Sequence, residues 1–345
     1  MCHMTRKTQR RRWTVEQIPD QTGRVTVVTG ASSGLGLATA RALHHRGGRV
    51  ILAVRDEERG RRAVAEITAA GRIGAAERAG GSPESRPLGS RSPQSRPLDP
   101  SLLEVRRLDL ADLDSVRAFS DRLHSDHARL DVLINNAGVM APPRTLNALG
   151  HESQFACNHL GHFALTGLLL DLLTAGRDPR VVTVSSVNHR QGRLRFDDLD
   201  GARGYAPMAF YNQSKFANAV FGQELHLRLT EAASPVRSLL AHPGYTATGL
   251  QLNGPTGIWQ LLLGRIGNPL LAQSPAAGAL SQLYAATDPE AVGGEFIGPD
   301  GPAELRGAPT RVPLSPAAAD PETGRRLWEV SERMTGVRFA FPATA

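Results

Sequence analysis

A chain of 345 residues and 37.0 kDa, 41% of it hydrophobic, is long enough to bury a substantial core and is expected to form one large α/β domain with appendages. Its only cysteines, Cys2 and Cys157, exclude a disulfide framework and a cysteine-based zinc site, and they point to a reducing, cytoplasmic setting. The formal charge of +7 lies largely in an N-terminal tail and in an Arg/Ser/Pro-rich stretch without aromatic interleaving, so no specific nucleic-acid role is expected.

Residues 1–22 are expected to be a basic, disordered tail, because no apolar h-region follows the arginines as a secretory signal would require. The β-branched run Val25–Thr29 then leads into Thr29-Gly-Ala-Ser-Ser-Gly-Leu-Gly36, and an amphipathic helix pattern follows over Leu37–His45. Strand, glycine-rich turn and helix in that order set backbone N–H groups and a helix N-terminus where a pyrophosphate can sit. Gly30 permits the tight turn, Gly34 the approach of phosphate, and Gly36 the close packing of helix on strand.

Further strands are expected at Arg49–Val54, Leu103–Leu108, Leu130–Asn135, Val181–Ser185, Val236–Ala241 and Gly294–Ile297. Helices are expected between them at Glu57–Ala70, Leu113–His127, His151–Leu173, Ala206–Thr230 and Pro275–Ala286. The alternation predicts a single Rossmann-type α/β fold, a doubly wound parallel sheet of seven strands with helices on both faces. Two near-copies, Ser82-Pro-Glu-Ser-Arg-Pro-Leu88 and Ser92-Pro-Gln-Ser-Arg-Pro-Leu98, mark 71–101 as a disordered insertion. The stretch 249–273 is crowded with Leu, Ile and Trp259, which suits an apolar lid over a lipophilic substrate. A packing helix pair, a dimer contact and a shallow membrane-binding patch are the alternatives, which together weigh about as much as the lid. No apolar run reaches the ~20 residues that span a bilayer, so no transmembrane anchor is expected. The domain is expected over 23–312, with 313–345 as a C-terminal extension carrying a short helix.

Tyr211 and Lys215 stand four apart in Tyr211-Asn-Gln-Ser-Lys215, on one face of a helix, and Lys7 is the only other lysine among forty basic residues. An ammonium beside a phenol favours the ionised form, which predicts a proton donor and acceptor working near neutral pH. His159, His162 and His189 have no carboxylate or cysteine company at ligand spacing, so no metal is expected.

Six ordered motifs resemble the short-chain dehydrogenase/reductase family: Thr29 to Gly36, Asn135-Asn-Ala-Gly138, Asn158-His-Leu-Gly161, Val184-Ser-Ser186, Tyr211-x-x-x-Lys215 and Pro243-Gly244. Asn158-His-Leu-Gly-His-Phe163 and the long Ser186 to Tyr211 spacing resemble its retinol dehydrogenase and WW-domain oxidoreductase branch. The resemblance implies a catalytic set of Asn158, Ser186, Tyr211 and Lys215. Ser186 would orient the carbonyl, Tyr211 act as acid/base, Lys215 lower the tyrosine's proton affinity and hold the nicotinamide ribose, and Asn158 position a water in the proton relay. Strand alternation lets only one of Ser185 and Ser186 face Tyr211, and the resemblance selects Ser186.

A cofactor set is implied in the same way. Gly30, Ser32, Ser33, Gly34, Leu35 and Gly36 would hold the pyrophosphate; Asp109 and Leu110 would contact adenine; Asn135, Ala137 and Gly138 would line the cleft. Pro243 and Gly244 would lie against the nicotinamide with Thr246 beside its amide or the phosphates, and Tyr211 and Lys215 would touch its ribose. At the end of the second strand Arg55 matches the branch's 2′-phosphate-binding arginine, which favours NADP (NADPH) and leaves NAD open, with Asp56 as a helix N-cap. The expected activity interconverts a small lipophilic alcohol and its carbonyl compound, in a homodimer or homotetramer. A catalytically silent NADPH-binding regulator and a membrane-surface retinoid or sterol dehydrogenase are the alternatives.

Overall fold

The computed structural model describes residues 12–79, 99–246 and 272–341. The expected lid and the Ser82 and Ser92 near-copies lie outside them, apart from Ala272 and Gln273 at the lid's end. Eight strands form one sheet in the order β3-β2-β1-β4-β5-β6-β7-β8: β1 (Val25–Thr29), β2 (Arg49–Val54), β3 (Leu103–Arg107), β4 (Val132–Asn135), β5 (Arg180–Val184), β6 (Arg237–Ala241), β7 (Phe296–Pro299) and β8 (Pro309–Arg311). The first seven are parallel, and β8 pairs antiparallel with β7.

The helices are α1 (Gly34–His45), α2 (Glu57–Ala79), α3 (Leu113–Asp126), α4 (Ser153–Phe155), α5 (Gly161–Leu168), α6 (Leu170–Thr174), α7 (Pro207–Glu231), α8 (Pro275–Gly278), α9 (Leu280–Thr287) and α10 (Pro321–Thr335). Period-two alternation along the strands sends their apolar residues to two cores. Val27, Ile51, Leu133 and Val181 pack under α3, α5, α7 and α10, while Val28, Val50, Ile134 and Val182 pack under α1, α2 and α9. The sheet is therefore buried on both faces, and its loops meet at the carboxyl edge.

The expected seven strands become eight because Pro309–Arg311 carries no strand-like pattern of its own. It is held as a strand by pairing with β7 and by Asp300, whose Oδ1 accepts the Ala308 N–H across the hairpin at 2.9 Å. The expected continuous helix over 151–173 is divided into α4, a π-helical turn Ala156–Leu160, α5 and α6. Helix α2 continues nine residues past Ala70, into the stretch expected as an insertion. Within the expected tail, Trp13, Ile18 and Gln21 are buried, and the Trp13 indole donates to Asp288 Oδ2 at 2.7 Å. In the C-terminal extension Asp320 caps α10, which lays Leu327 and Trp328 into the α5/α7 core.

Asp131 is fully buried at the amino edge of the sheet, where its carboxylate accepts the Val25 N–H and the Arg177 N–H, both at 2.6 Å. These bonds join the start of β1 to the turn before β5. Asp131→Ala is expected to cost about 2–4 kcal/mol in denaturant unfolding, since it strands two buried amides. A change below ~1 kcal/mol would show that water replaces the carboxylate without penalty.

Candidate active site

Every motif identified in the sequence falls in a loop leaving the carboxyl edge of the parallel sheet or on the helices beside it, where ligands of doubly wound folds sit. The glycine turn after β1 has the backbone that its residues require. Gly30 and Gly34 have φ of 68° and 57°, and a Cβ on Gly36 would lie 2.5 Å from the Gly30 carbonyl oxygen. Ser33 precedes α1 without a side-chain cap, so the first-turn amides keep the donor set that a pyrophosphate takes. The chain's own geometry thus fits a dinucleotide.

Thr29 fastens this turn to the next one. Its hydroxyl oxygen accepts the Asn136 and Ala137 N–H groups, each at 2.9 Å, and meets His162 Nε2 at 2.9 Å, while His162 Nδ1 lies 2.9 Å from the Asn158 carbonyl. Asn136 returns its amide to the Thr29 carbonyl at 2.8 Å. Neither Thr29 nor His162 stood out as a site residue in the sequence. The signal lay in a threonine, rather than another valine, at the strand's last position.

Asn158 sits in the π-helical turn, a feature that recurs at functional sites. Its Oδ1 accepts the Val139 N–H at 2.8 Å, and its Nδ2 donates to the Val139 carbonyl and to Ser214 Oγ, both at 2.9 Å. Ser214 Oγ donates onward to the Tyr211 carbonyl at 2.8 Å. Gly138 faces the same place: a Cβ there would stand 3.2 Å from Asn158 Oδ1 and 3.5 Å from Lys215 Nζ.

Tyr211 and Lys215 lie in α7, both buried, with the ammonium 6.0 Å from the phenol ring centroid and donating to the Val184 carbonyl at 3.2 Å. Ser186 follows β5 and caps the turn Val187–Gln191, its Oγ accepting the Asn188 N–H at 3.2 Å. Ser185 points the other way and donates to the Lys215 carbonyl at 2.8 Å, so alternation along the strand leaves Ser186 as the serine facing the phenol.

One electrostatic expectation is corrected. Burial pushes the Tyr211 phenol up to about 12, with the Ser186 hydroxyl opposing it, and burial brings Lys215 down to about 8. The lysine therefore does not by itself make the phenol titrate near neutrality. Removal from water is the largest effect on both groups, and Tyr211 is protonated at pH 7.

The remaining expected residues divide between cleft and core. Arg55 is exposed at the end of β2, and no hydrogen bond or ion pair holds its guanidinium among the described residues, whereas Asp56 caps α2 by accepting the Arg59 N–H at 3.1 Å. Asp109 folds back to accept the Ala111 N–H at 3.0 Å, and the buried Leu110 presents its carbonyl to Gly161. Asn135 is fully buried and donates to Thr166 Oγ1 at 3.0 Å, which makes it a brace of the sheet. Gly244 has φ of 66°, and Thr246 donates to the Pro243 carbonyl at 2.9 Å. His159, His162 and His189 are all buried and bonded, respectively to Ser331, to Thr29 with Asn158, and to the Ser186 carbonyl. No group of three metal-binding side chains occurs among the described residues.

The fold and this loop geometry define a dinucleotide-dependent oxidoreductase, and the model of the short chain dehydrogenase family matches residues 24–77 and 101–256. The chain belongs to the short-chain dehydrogenase/reductase family, in its retinol dehydrogenase-like branch, whose members act on CH–OH donors with NAD(P). The match omits 78–100, the stretch that contains both Ser/Pro/Arg near-copies. The chain is 37% identical over 317 residues to retinol dehydrogenase 14 of Mus musculus, covering 91% of this chain and 86% of that protein. It is 38% identical over 326 residues to polyprenol dehydrogenase of Mus musculus, covering 92% and 86%. An uncharacterised protein of Mycobacterium paratuberculosis of known structure is 39% identical and superposes with a TM-score of 0.73 over 96% of this chain and 100% of that one.

Proposed function

We propose that this protein is an NADP-dependent oxidoreductase that interconverts a lipophilic alcohol and its carbonyl compound, with Tyr211 as general acid/base. The observation that carries this reading is Tyr211 buried at the carboxyl edge of the sheet, with the Lys215 ammonium 6.0 Å from its ring centroid and Ser186, not Ser185, left to face it. In reduction, Ser186 donates a hydrogen bond to the carbonyl oxygen and Tyr211, protonated at neutral pH, gives that oxygen its proton. Reduced nicotinamide, when bound, supplies the hydride to the carbonyl carbon, so hydride and proton together account for the alcohol formed. Lys215 stabilises the tyrosinate left behind. Asn158 fixes the Val139 segment and, through Ser214, the backbone of Tyr211. Oxidation runs in the opposite sense, with tyrosinate accepting the hydroxyl proton.

The cofactor preference rests on Arg55. Its exposed guanidinium at the end of β2 suits a 2′-phosphate, and Asp56, the acidic neighbour that could accept a ribose 2′-OH, is engaged at the helix N-terminus. Arg55→Ala is expected to weaken NADPH binding roughly 10–100-fold in a nicotinamide-fluorescence titration and to leave NADH binding unchanged. Equal losses for both cofactors would remove the 2′-phosphate assignment.

The names of the relatives support a lipophilic substrate, since retinol and polyprenol are both isoprenoid alcohols. Leu146 and Leu149 on the β4–α4 segment and Met208 one turn ahead of Tyr211 expose apolar side chains around these elements. Incubation with NADPH and a panel of straight-chain and isoprenoid aldehydes tests the reading. Turnover of none of them, alongside tight NADPH binding, would favour a nucleotide sensor instead.

A further inference from the structure

The hairpin that adds β8 to the sheet carries a carboxylate which touches both loops bordering the reacting centre. Glu304 Oε1 accepts from Arg190 Nη2 at 2.7 Å, and its Oε2 lies 3.0 Å from His242 Nε2. Arg190 belongs to the 3₁₀ turn Val187–Gln191 that Ser186 caps, and His242 immediately precedes Pro243–Gly244. The bonding fixes the tautomer of His242: its Nδ1 accepts the Gly244 N–H at 3.3 Å, so the proton sits on Nε2 and is donated to Glu304.

The backbone of the hairpin reinforces the link. The Leu305 carbonyl accepts the Tyr245 N–H at 2.7 Å, and a Cβ on Gly244 would lie 2.4 Å from that oxygen. Ala303 and Glu304 are consecutive non-glycine residues with φ of 52° and 57°, a backbone conformation unfavourable to side chains that survives only where its surroundings hold it. Here the Arg190 and His242 bonds and the Tyr245 amide do the holding.

We propose that Glu304 is a positioning residue, fixing the Ser186 loop relative to the Pro243–Gly244 turn and thereby the substrate-orienting hydroxyl relative to the nicotinamide. This rests on the roles proposed above for those two loops. It predicts that removing the charge of Glu304 loosens two sequence-distant loops together, although each keeps its own backbone bonds.

Hydrogen exchange on the protein without cofactor, compared between wild type and Glu304→Gln, reads this directly. Amides within 187–191 and within 243–246 are expected to exchange several-fold faster in the variant, with thermal stability close to wild type. Arg190→Ala, on a partly exposed side chain, is expected to loosen the same two segments and to add little when combined with Glu304→Gln. With a responsive aldehyde, kcat is expected to fall about 10-fold and the isotope effect with C4-deuterated NADPH to rise, as hydride transfer becomes the slower step. Faster exchange confined to 301–307, additive effects of the two variants, or an unchanged isotope effect would overturn the proposal. If wild type reduces no carbonyl compound, the functional reading fails on its own, and the paired exchange of the two loops still decides whether Glu304 joins them.

Discussion

Tyr211→Phe is expected to lower carbonyl reduction roughly 10²–10⁴-fold, the range that a positioned acid contributes, while NADPH binds as it does to wild type. The substitution removes one oxygen from a buried ring and leaves that ring beside Lys215, so the cleft keeps its shape. What disappears is the phenol proton, which burial keeps in place at pH 7. Stopped-flow reduction and nicotinamide fluorescence separate the two effects. Turnover within a few-fold of wild type would mean that solvent supplies the proton and that the buried phenol is a packing group.

The second large effect is a gain in stability bought at the expense of activity. Lys215 is 4% exposed, and burial lowers its pKa from 10.5 to about 8. Such a shift corresponds to about 3 kcal/mol of unfavourable charge burial at pH 7, offset in part by its bond to the Val184 carbonyl. Below pH 8 the amine is charged in folded and unfolded chains alike, and the penalty is fully present. Between pH 8 and 10.5 the unfolded chain binds more protons, so this group makes stability rise with pH across that window. Lys215→Met is therefore expected to raise Tm by roughly 4 °C at pH 7, to abolish the rise between pH 8 and 10.5, and to remove most turnover. A Tm lowered by the substitution would show that the ammonium is better solvated by its neighbours than its burial implies.

Residues that announce themselves locally were legible in the sequence. Val25–Thr29 and Arg49–Val54 are strands at the expected bounds, and α7 lies within one residue of its expected limits at each end. The glycine turn could be read from its own strand–turn–helix context, whereas the Tyr211/Lys215 spacing took its weight from the ordered motifs before it and Ser186 was chosen by the family resemblance. The Lys215 ammonium lies 6.0 Å from the Tyr211 ring centroid.

What escaped depends on partners far along the chain. The π-helical turn cannot be read from Ala156–Leu160 alone, since Asn158 is bonded to Val139 and Ser214. β8 exists only because β7 offers an edge, and Trp13 is ordered by Tyr284 and Asp288, more than 270 residues away. The elevated phenol pKa was missed for a related reason. A Tyr/Lys spacing reports the presence of an ammonium but not the loss of water around it, and desolvation is the larger effect here.

The most direct test of the account follows the hydride. Wild-type protein, incubated with NADPH deuterated on either face of C4 and with a panel of lipophilic aldehydes, is expected to yield alcohol carrying one deuterium from a single face, and Tyr211→Phe to yield almost none. Absence of label in any alcohol, under conditions where NADPH is bound, would contradict the claim that Ser186, Tyr211 and Lys215 form a hydride-transfer site.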